Sequence, residues 1–254
     1  MITIKSKREI ELLAIAGNIV YQTHKYLQPY IKEGIKTIEL DKLAEDFIRS
    51  KDATPSFKGY EGFPYTCCIS VNSEVVHGFP SNYVLKNGDI VSIDIGACYK
   101  GYHGDAARTH LCGNVSEEKK LLVERTKQSL FEGLKFAKPN NRLSDISHAI
   151  ETYVKQFGYE IVMDFTGHGI GTHLHEDPAI PNYGPAGRGV ILKKGMTLAI
   201  EPMINAGTHR VKILSDDWTV VTLDKRPSAH YENTIVITDN GYEILTKLEG
   251  ESEN

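Results

Sequence analysis

The sequence lacks the features that mark several common classes of protein. None of its four cysteines belongs to a Cys-x-x-Cys pair, so neither a disulfide framework nor a zinc knuckle is indicated. Nowhere do eighteen apolar residues follow one another, so no membrane span is expected. The formal net charge of -4 at pH 7 provides no basic surface for general nucleic-acid binding. Residues 1–9 lead directly into a charged helical pattern and are not typical of a signal peptide, which favours a cytoplasmic protein with reduced thiols.

Two stretches of the chain resemble each other, which indicates an internal duplication. Residues 84–94 align without a gap with residues 191–201. An acid ends each stretch, and a His-x-x-Pro element that begins at His77 or His175 precedes it. No linker separates the halves, about 1–112 and 113–254, so they are expected to share one core in a single domain. The identical pairs are Leu85 and Leu192, Lys86 and Lys193, Gly88 and Gly195, and Ile93 and Ile200.

Apolar residues spaced three to four apart predict four amphipathic helices. The first is expected to begin near residue 6, and the stripe of the second, at 40–48, recurs at 146–154 in the fourth, which is expected to extend to Phe157. Ser116 and Ser144 are the predicted N-caps of the third and fourth helices. Strands follow each helix pair, so the expected fold class is α+β, with helices packed on one face of a curved antiparallel sheet.

Asp94 and Asp105 flank a predicted hairpin turn at residues 99–101. If the turn centres on Tyr99 and Lys100, the two carboxylates lie directly opposite each other, with β-carbons about 5 Å apart. A β-bulge would change this register by one residue. Like charges in such a pair are unfavourable unless they are protonated, paired with arginine or bridged by a cation.

Glu201 and Glu232 repeat this arrangement in the second half, where Glu232 opens a strand that turns at 239–241. The duplication would bring all four acids together. Four buried carboxylates can all stay ionised only if each is compensated by on the order of several kcal/mol. His168, flanked by glycines, adds a neutral nitrogen. Oxygen ligands with one imidazole suit manganese, iron, cobalt or zinc. Two such ions roughly 4 Å apart that share a hydroxide are a common hydrolytic arrangement.

Each of these residues also has a simpler interpretation when it is considered alone. A single buried acid is more often part of an ion pair, and Arg108, Lys193 and Lys194 are available partners. The repeat-related positions of four acids around His168 favour a metal centre instead. Cys68 is expected to be a pocket or core residue and not a nucleophile, since no base is paired with it. The histidines expected to have no role in the site are His103, His110, His173, His209 and His230.

The motifs Gly-His-Gly-Ile-Gly at 167–171 and Ile-Glu-Pro-Met at 200–203, together with the five predicted ligands, resemble the type I methionine aminopeptidases of bacteria, in peptidase family M24. The resemblance extends from about residue 10 to 246. It implies the pita-bread fold, whose pseudo-two-fold symmetry agrees with the repeat. It also implies a single catalytic domain that removes the N-terminal methionine from nascent polypeptides with a small second residue.

The resemblance implies two divalent ions per subunit, with cobalt, manganese, iron, zinc and nickel all compatible. Asp94 would chelate one ion, Asp105 and Glu232 would bridge both, and His168 and Glu201 would complete the second site. A hydroxide that bridges the ions would attack the scissile carbonyl, and Glu201 would relay its proton.

The resemblance also assigns residues to the substrate. His175 would donate a hydrogen bond to the carbonyl oxygen as it gains charge, and His77 would assist the leaving group. Three departures leave the specificity open: Phe57 and Leu174 replace Cys and Phe, and Asn233 replaces His. The residues implied for the methionine pocket are Tyr60, Phe63, Cys68 and Trp218.

Two alternative functions stay open at this stage. Aminopeptidase P and prolidase share the five ligands, but they normally carry an extra N-terminal domain. A non-catalytic binding protein on the same fold would be expected to have lost ligands. The chain lacks the family's N-terminal zinc-finger extension, and only 31 positions separate Glu201 from Glu232, too few for the helical insertion of the type II enzymes. A cytoplasmic monomer is expected, which acts on the N-termini of nascent polypeptides with transient ribosome contact.

Overall fold

The computed structural model describes residues 2–247, and within them four α-helices alternate with groups of short strands. No helix in this range is long and apolar enough to cross a bilayer. The helices are α1 (Lys7–Leu27), α2 (Thr37–Arg49), α3 (Glu117–Leu134) and α4 (Leu143–Lys155), with 3₁₀ turns at Gln28–Tyr30 and Tyr60–Gly62. The strands are β1 (Thr54–Pro55), β2 (Cys67–Val71), β3 (Glu74–Val76), β4 (Ile90–Tyr99), β5 (Tyr102–Leu111), β6 (Glu160–Ile161), β7 (Gly167–Gly169), β8 (Glu176–Ile180), β9 (Thr197–Ile200), β10 (Met203–Asn205), β11 (Val211–Ile213), β12 (Val220–Thr222), β13 (Ser228–His230), β14 (Asn233–Ile237) and β15 (Tyr242–Ile244).

The helix starts follow from local hydrogen bonds. Ser116 caps α3 as predicted, since its hydroxyl accepts from the Lys119 N–H. The prediction that Ser144 caps α4 is wrong, because the helix begins at Leu143 and the Asp145 carboxylate takes the Arg142 N–H at 2.8 Å. A carboxylate in the first turn satisfies a free N–H there and also favours the helix dipole.

The end of α4 also differs from the prediction. The helix stops at Lys155, so Phe157 lies beyond it and is exposed, although it was expected on the apolar stripe. Its ring lies under the guanidinium of Arg125, 4.3 Å from the ring centroid. A cation–π contact of this kind places the ring on the surface and not in the core.

The two halves have separate sheets with similar helix packing. In the first half β1, β4, β2 and β5 form an antiparallel sheet, and in the second half β15, β14, β9, β7 and β8 do so. One apolar core contains residues of α1, α2 and the first sheet, and another contains residues of α3, α4 and the second. Isolated bridges join Lys36 to Val84 and Arg142 to Ile191. These pairs are equivalent in the sequence repeat, so the duplication is visible in the backbone.

The register of the β4–β5 hairpin differs from the prediction. Tyr99 pairs with Tyr102, and Asp94 pairs with Ala107 instead of Asp105. The loop consists of Lys100 and Gly101, both with positive φ (49° and 82°), which is the geometry of two-residue hairpin turns. The predicted register is wrong by two residues. Because side chains alternate between the two faces with period two, both carboxylates still point to the same face. They lie diagonally across the ladder.

The sheets of the two halves meet where β5 passes the start of β14. The Glu232 N–H donates to the Ala107 carbonyl at 2.9 Å. The Thr234 hydroxyl lies 2.8 Å from the Asp105 carbonyl and 3.1 Å from the Asp105 nitrogen. The Arg108 guanidinium donates to the Glu232 carbonyl. These bonds place Asp105 of the first half beside Glu232 of the second half.

Candidate metal centre

The four acids expected to converge lie around one cavity at the junction of the sheets. Asp94 is on β4, Asp105 on β5, Glu201 directly after β9 and Glu232 directly before β14. All four line a cavity of about 120 Å³, together with His168 on β7. A second, wider cleft of about 650 Å³ shares Asp94, His168 and Glu201 and opens towards the surface. The cavity and the cleft therefore adjoin each other at these residues.

His168 presents a nitrogen lone pair to the acids. Its Nδ1 lies 2.9 Å from the Gly169 carbonyl, which can only accept a hydrogen bond, so the proton is on Nδ1. Its Nε2 lies 3.8 Å from both Asp105 Oδ2 and Glu201 Oε1. Burial lowers the pKa of His168 to about 4. The ring is thus neutral at pH 7, the form that binds a metal.

The carboxylates crowd one another in a poorly solvated space. Burial, followed by the charges of its neighbours, raises the pKa of Asp105 and of Glu232 well above ordinary values. Burial is also the main cause that raises the pKa of Asp94 and of Glu201. Three of their oxygens are buried and form no hydrogen bond within residues 2–247: Asp94 Oδ1, Asp105 Oδ1 and Glu232 Oε1.

Two of the three basic residues that could have paired with a single acid bind other groups. The Arg108 guanidinium donates to the Glu232 main-chain oxygen and, at 2.7 Å, to Asn233 Oδ1. Lys194 pairs with Asp239 on the surface. Buried carboxylate oxygens without donors require a cation or protons. One ligand atom each from Asp105, His168 and Glu232 lies within 4.8 Å of the others, so the donor set fits divalent metal ions.

His175 and His77 both line the cavity and the cleft. The His175 ring is edge-on to His168, with centroids 4.3 Å apart, and its Nδ1 lies 2.9 Å from the Tyr60 hydroxyl. His77 has a φ of 57°, an unfavourable conformation for a residue other than glycine that often marks a functional site. Burial lowers the pKa of His77 to about 4 and also lowers the pKa of His175. Both rings are neutral at pH 7.

The remaining wall of the cavity is apolar and aromatic. Phe63 packs edge-on against Trp218, with centroids 5.1 Å apart. Cys68 lies opposite Asp94 on the neighbouring strand, and burial raises the pKa of its thiol well above the ordinary value. A protonated thiol is not a nucleophile, in agreement with the sequence interpretation. The cavity side chains in this cluster are Phe57, Tyr60, Phe63, Cys68, Leu174 and Trp218.

The three departures from the family pattern have different positions. Phe57 and Leu174 line the cavity, so they shape the space that a substrate side chain would occupy. Asn233 is fully buried behind the wall, where its Oδ1 accepts from Arg108 and from the Thr246 hydroxyl. Asn233 therefore supports the strand that carries Glu232 and does not face the cavity.

One residue at the centre was missed. His230 was expected to have no role, but it is 1% exposed and its Nε2 lies 3.5 Å from Glu201 Oε2. A usable signal was present, since His230 precedes Glu232 by two positions in an extended segment and such residues share a face. His103 bonds to Ser56 at 2.9 Å, and His110 lies beside His24.

Comparison with known proteins relates the whole chain to one family. The model of "Metallopeptidase family M24" matches residues 11–239. Methionine aminopeptidase 1 of Bacillus subtilis is 55% identical over 98% of this chain and 100% of the relative. The structure of methionine aminopeptidase from Thermotoga maritima is 47% identical, has a TM-score of 0.96 and covers 97% of this chain and 100% of that one. The prolidase of Pyrococcus furiosus is 28% identical with a TM-score of 0.80 over 97% of this chain, but this covers only 66% of the prolidase.

Proposed function

The chain belongs to metallopeptidase family M24 and, within it, to the methionine aminopeptidases, and on that premise we propose that it removes the N-terminal methionine from polypeptides. The fold is the pita-bread fold of these enzymes. The observation that carries the proposal is the group of unpartnered carboxylate oxygens around the neutral His168. Such a group suits divalent cations in a hydrolase.

We propose two cations per subunit. Asp94 would hold one, His168 and Glu201 would hold the other, and Asp105 and Glu232 would help to hold both. When bound, two divalent ions lower the pKa of water and polarise a carbonyl, which provides a nucleophile at neutral pH. Cobalt, manganese, iron, zinc and nickel all suit this donor set.

The chain's own side chains would position and protonate the substrate. The Tyr60 hydroxyl holds Nδ1 of His175, which leaves Nε2 to donate a hydrogen bond to the scissile carbonyl oxygen as it gains charge. Glu201 lines both the cavity and the cleft, and its carboxylate would accept a proton during attack. His77 would contact the peptide nitrogen that leaves.

The apolar end of the cavity would bind the methionine side chain. Phe63, Cys68 and Trp218 line this part of the cavity, which suits one unbranched thioether, because a thioether makes favourable contacts with aromatic edges. The free amino group would lie at the metal-binding residues, so the enzyme would act only at N-termini. The wider cleft beside His77 and Phe165 would receive the second and later residues.

The remaining properties are proposed from the family and the sequence. The substrate would be a nascent polypeptide with a small second residue, met in the cytoplasm during transient contact with the ribosome. The chain would act as a monomer with a single catalytic domain. No specific nucleic acid or membrane partner is proposed.

A peptide assay separates this function from the alternatives. The protein is stripped of metal, reloaded with Mn²⁺ or Co²⁺, and given Met-Ala-Ser or an Xaa-Pro peptide. We expect methionine release from Met-Ala-Ser, no activity in the metal-free protein and little cleavage of the Xaa-Pro peptide. Preferred cleavage before proline would support a prolidase-like enzyme. Absence of cleavage with every divalent metal would favour a binding protein.

A further inference from the structure

Residues 2–6, which precede α1 and are called the N-terminal arm below, contact the second half and form a buried ion pair there. Lys5 Nζ lies 2.6 Å from Glu176 Oε2, and the side chains are only 5% and 11% exposed. The Thr3 hydroxyl donates to the same carboxylate oxygen at 2.9 Å. The Lys5 N–H donates to the Gly195 carbonyl at 2.8 Å. The arm is therefore held by a backbone hydrogen bond as well as by the side chains of Thr3 and Lys5.

The same carboxylate organises the loop before it. Glu176 Oε1 accepts the His173 N–H at 3.3 Å, and the Gly171 N–H donates to the His173 carbonyl at 3.1 Å. A β-carbon on Gly171 would overlap with Glu176 Oε1 and lie 2.7 Å from Lys5 Nζ, so a larger residue there would displace the ion pair. Residues 171–176 are therefore wrapped around the Lys5–Glu176 contact.

The charge state of this pair fits a role in holding the loop. Burial alone would raise the pKa of Glu176, but hydrogen bonds from Lys5, Thr3 and the His173 N–H lower it overall. Loss of one partner of a buried pair leaves an uncompensated charge, which is strongly unfavourable. Without the ammonium group, the Glu176 carboxylate would turn towards water and the loop would shift with it.

His175 is the residue next to Glu176, and its ring Nδ1 is hydrogen-bonded to the Tyr60 hydroxyl. We infer that Lys5 is a positioning residue for His175: through Glu176 it fixes the loop from which His175 reaches the scissile carbonyl. The inference rests on the proposed function of His175. Lys5 lines neither the metal centre nor the methionine pocket, so its effect passes through the loop.

Substitution of the lysine separates its charge from its size. Lys5→Met keeps most of the aliphatic stem and removes the ammonium group, whereas Lys5→Arg restores a positive charge. We expect Lys5→Met to lower kcat roughly tenfold, because small misplacements of a catalytic group have effects of this order or larger, and to leave KM nearly unchanged. Lys5→Arg should recover part of the loss. The matched control is Lys194→Met, which removes an exposed pair with Asp239 of the same 2.6 Å length and should have no effect.

A double-mutant comparison decides whether Lys5 acts through His175. In a His175→Ala background, Lys5→Met should cause no further loss of kcat. An equal loss in both backgrounds would overturn the inference while leaving the role of His175 intact. If His175→Ala alone keeps full activity, the proposed function of His175 fails instead.

A measurement without turnover keeps the test decisive if Lys5→Met is poorly folded. In metal-free protein, the His175 ring signals are assigned by NMR from their loss in His175→Ala. They should move in Lys5→Met and in the milder Glu176→Gln, and stay in place in Lys194→Met. Unchanged ring signals in a folded Glu176→Gln protein would contradict the inference.

Discussion

The hydroxyl of Tyr60 lies 2.9 Å from Nδ1 of His175, and the two rings meet edge to face with centroids 5.1 Å apart. This contact joins the methionine pocket to the group that would stabilise the reacting carbonyl. Because a hydroxyl bound at Nδ1 can fix both the ring orientation and the tautomer, Tyr60 has a role beyond forming an apolar wall.

Removal of that hydroxyl should therefore affect turnover more than binding. We expect Tyr60→Phe to lower kcat about tenfold, since the lost bond is worth roughly 1 kcal/mol or somewhat more, with KM little changed because the ring remains. Steady-state kinetics on Met-Ala-Ser test this. Tyr153→Phe removes a hydroxyl that is bonded to Arg125 outside the cavity and the cleft and is the control. A Tyr60→Phe enzyme with a raised KM and normal kcat would assign Tyr60 to binding alone.

Loss of the His175 ring should have a larger effect. His175→Ala is expected to lower kcat by about 10²–10³, the usual effect of removing one donor to a developing oxyanion. The metal content should stay the same, because His175 is not among the five residues proposed as ligands. Kinetics combined with elemental analysis check both points. Unimpaired turnover would show that another group stabilises the carbonyl.

Glu201 is proposed to act both as ligand and as proton acceptor. Glu201→Gln keeps the shape of the side chain but removes its charge and basicity, so activity should be lost and one of the two cations should bind more weakly. Isothermal titration of metal-free protein with Mn²⁺ measures the affinity independently of turnover. Glu243→Gln, at an exposed position of β15, is the control. Wild-type affinity and activity in Glu201→Gln would contradict both roles.

The crowded acids also predict how the metal-free protein responds to pH. Burial raises the pKa of Asp94 to about 7 and that of Glu201 to about 8, whereas unfolded carboxyls titrate near 4. A group whose pKa is higher in the folded state stabilises the fold at low pH, and this contribution is lost as the pH rises from about 4 through about 8. Thermal unfolding of the metal-free protein should therefore occur at a lower temperature at pH 9 than at pH 6.

Bound cations should remove most of this dependence, because they compensate the negative charge that protons otherwise neutralise. The Mn²⁺-loaded protein is expected to unfold at similar temperatures across the same pH range. Metal-free Glu201→Gln should depend on pH less than metal-free wild type. A metal-free protein that becomes more stable between pH 6 and 9 would show that the carboxylates are compensated in another way.

Much of the site could be predicted from the sequence because the duplication places acids at equivalent strand ends. The alignment of 84–94 with 191–201 located Asp94 and Glu201, and the glycines around His168 located the imidazole. The hairpin register could not be obtained this way, since it depends on which two residues adopt positive φ. The shift by two residues preserved the face, so the convergence of the acids survived the error.

Other features depend on contacts that no local pattern reports. Lys5 and Glu176 are 171 positions apart, and nothing in either segment indicates that they form a buried pair. His230 belongs to no motif, and its place at the site follows only from strand alternation with Glu232. The N-cap of α4 was misplaced because Ser144 is a good capping residue, while the first-turn carboxylate of Asp145 satisfies the backbone instead.

The central claim is that five side chains from both halves hold a pair of divalent cations. Anomalous diffraction at the manganese edge, from crystals of the Mn²⁺-loaded protein, tests it directly. We predict two peaks roughly 4 Å apart, enclosed by Asp94, Asp105, His168, Glu201 and Glu232. Peaks only at other positions would contradict the account. So would the absence of any peak at saturating Mn²⁺ in a crystal where these five side chains have the positions described here.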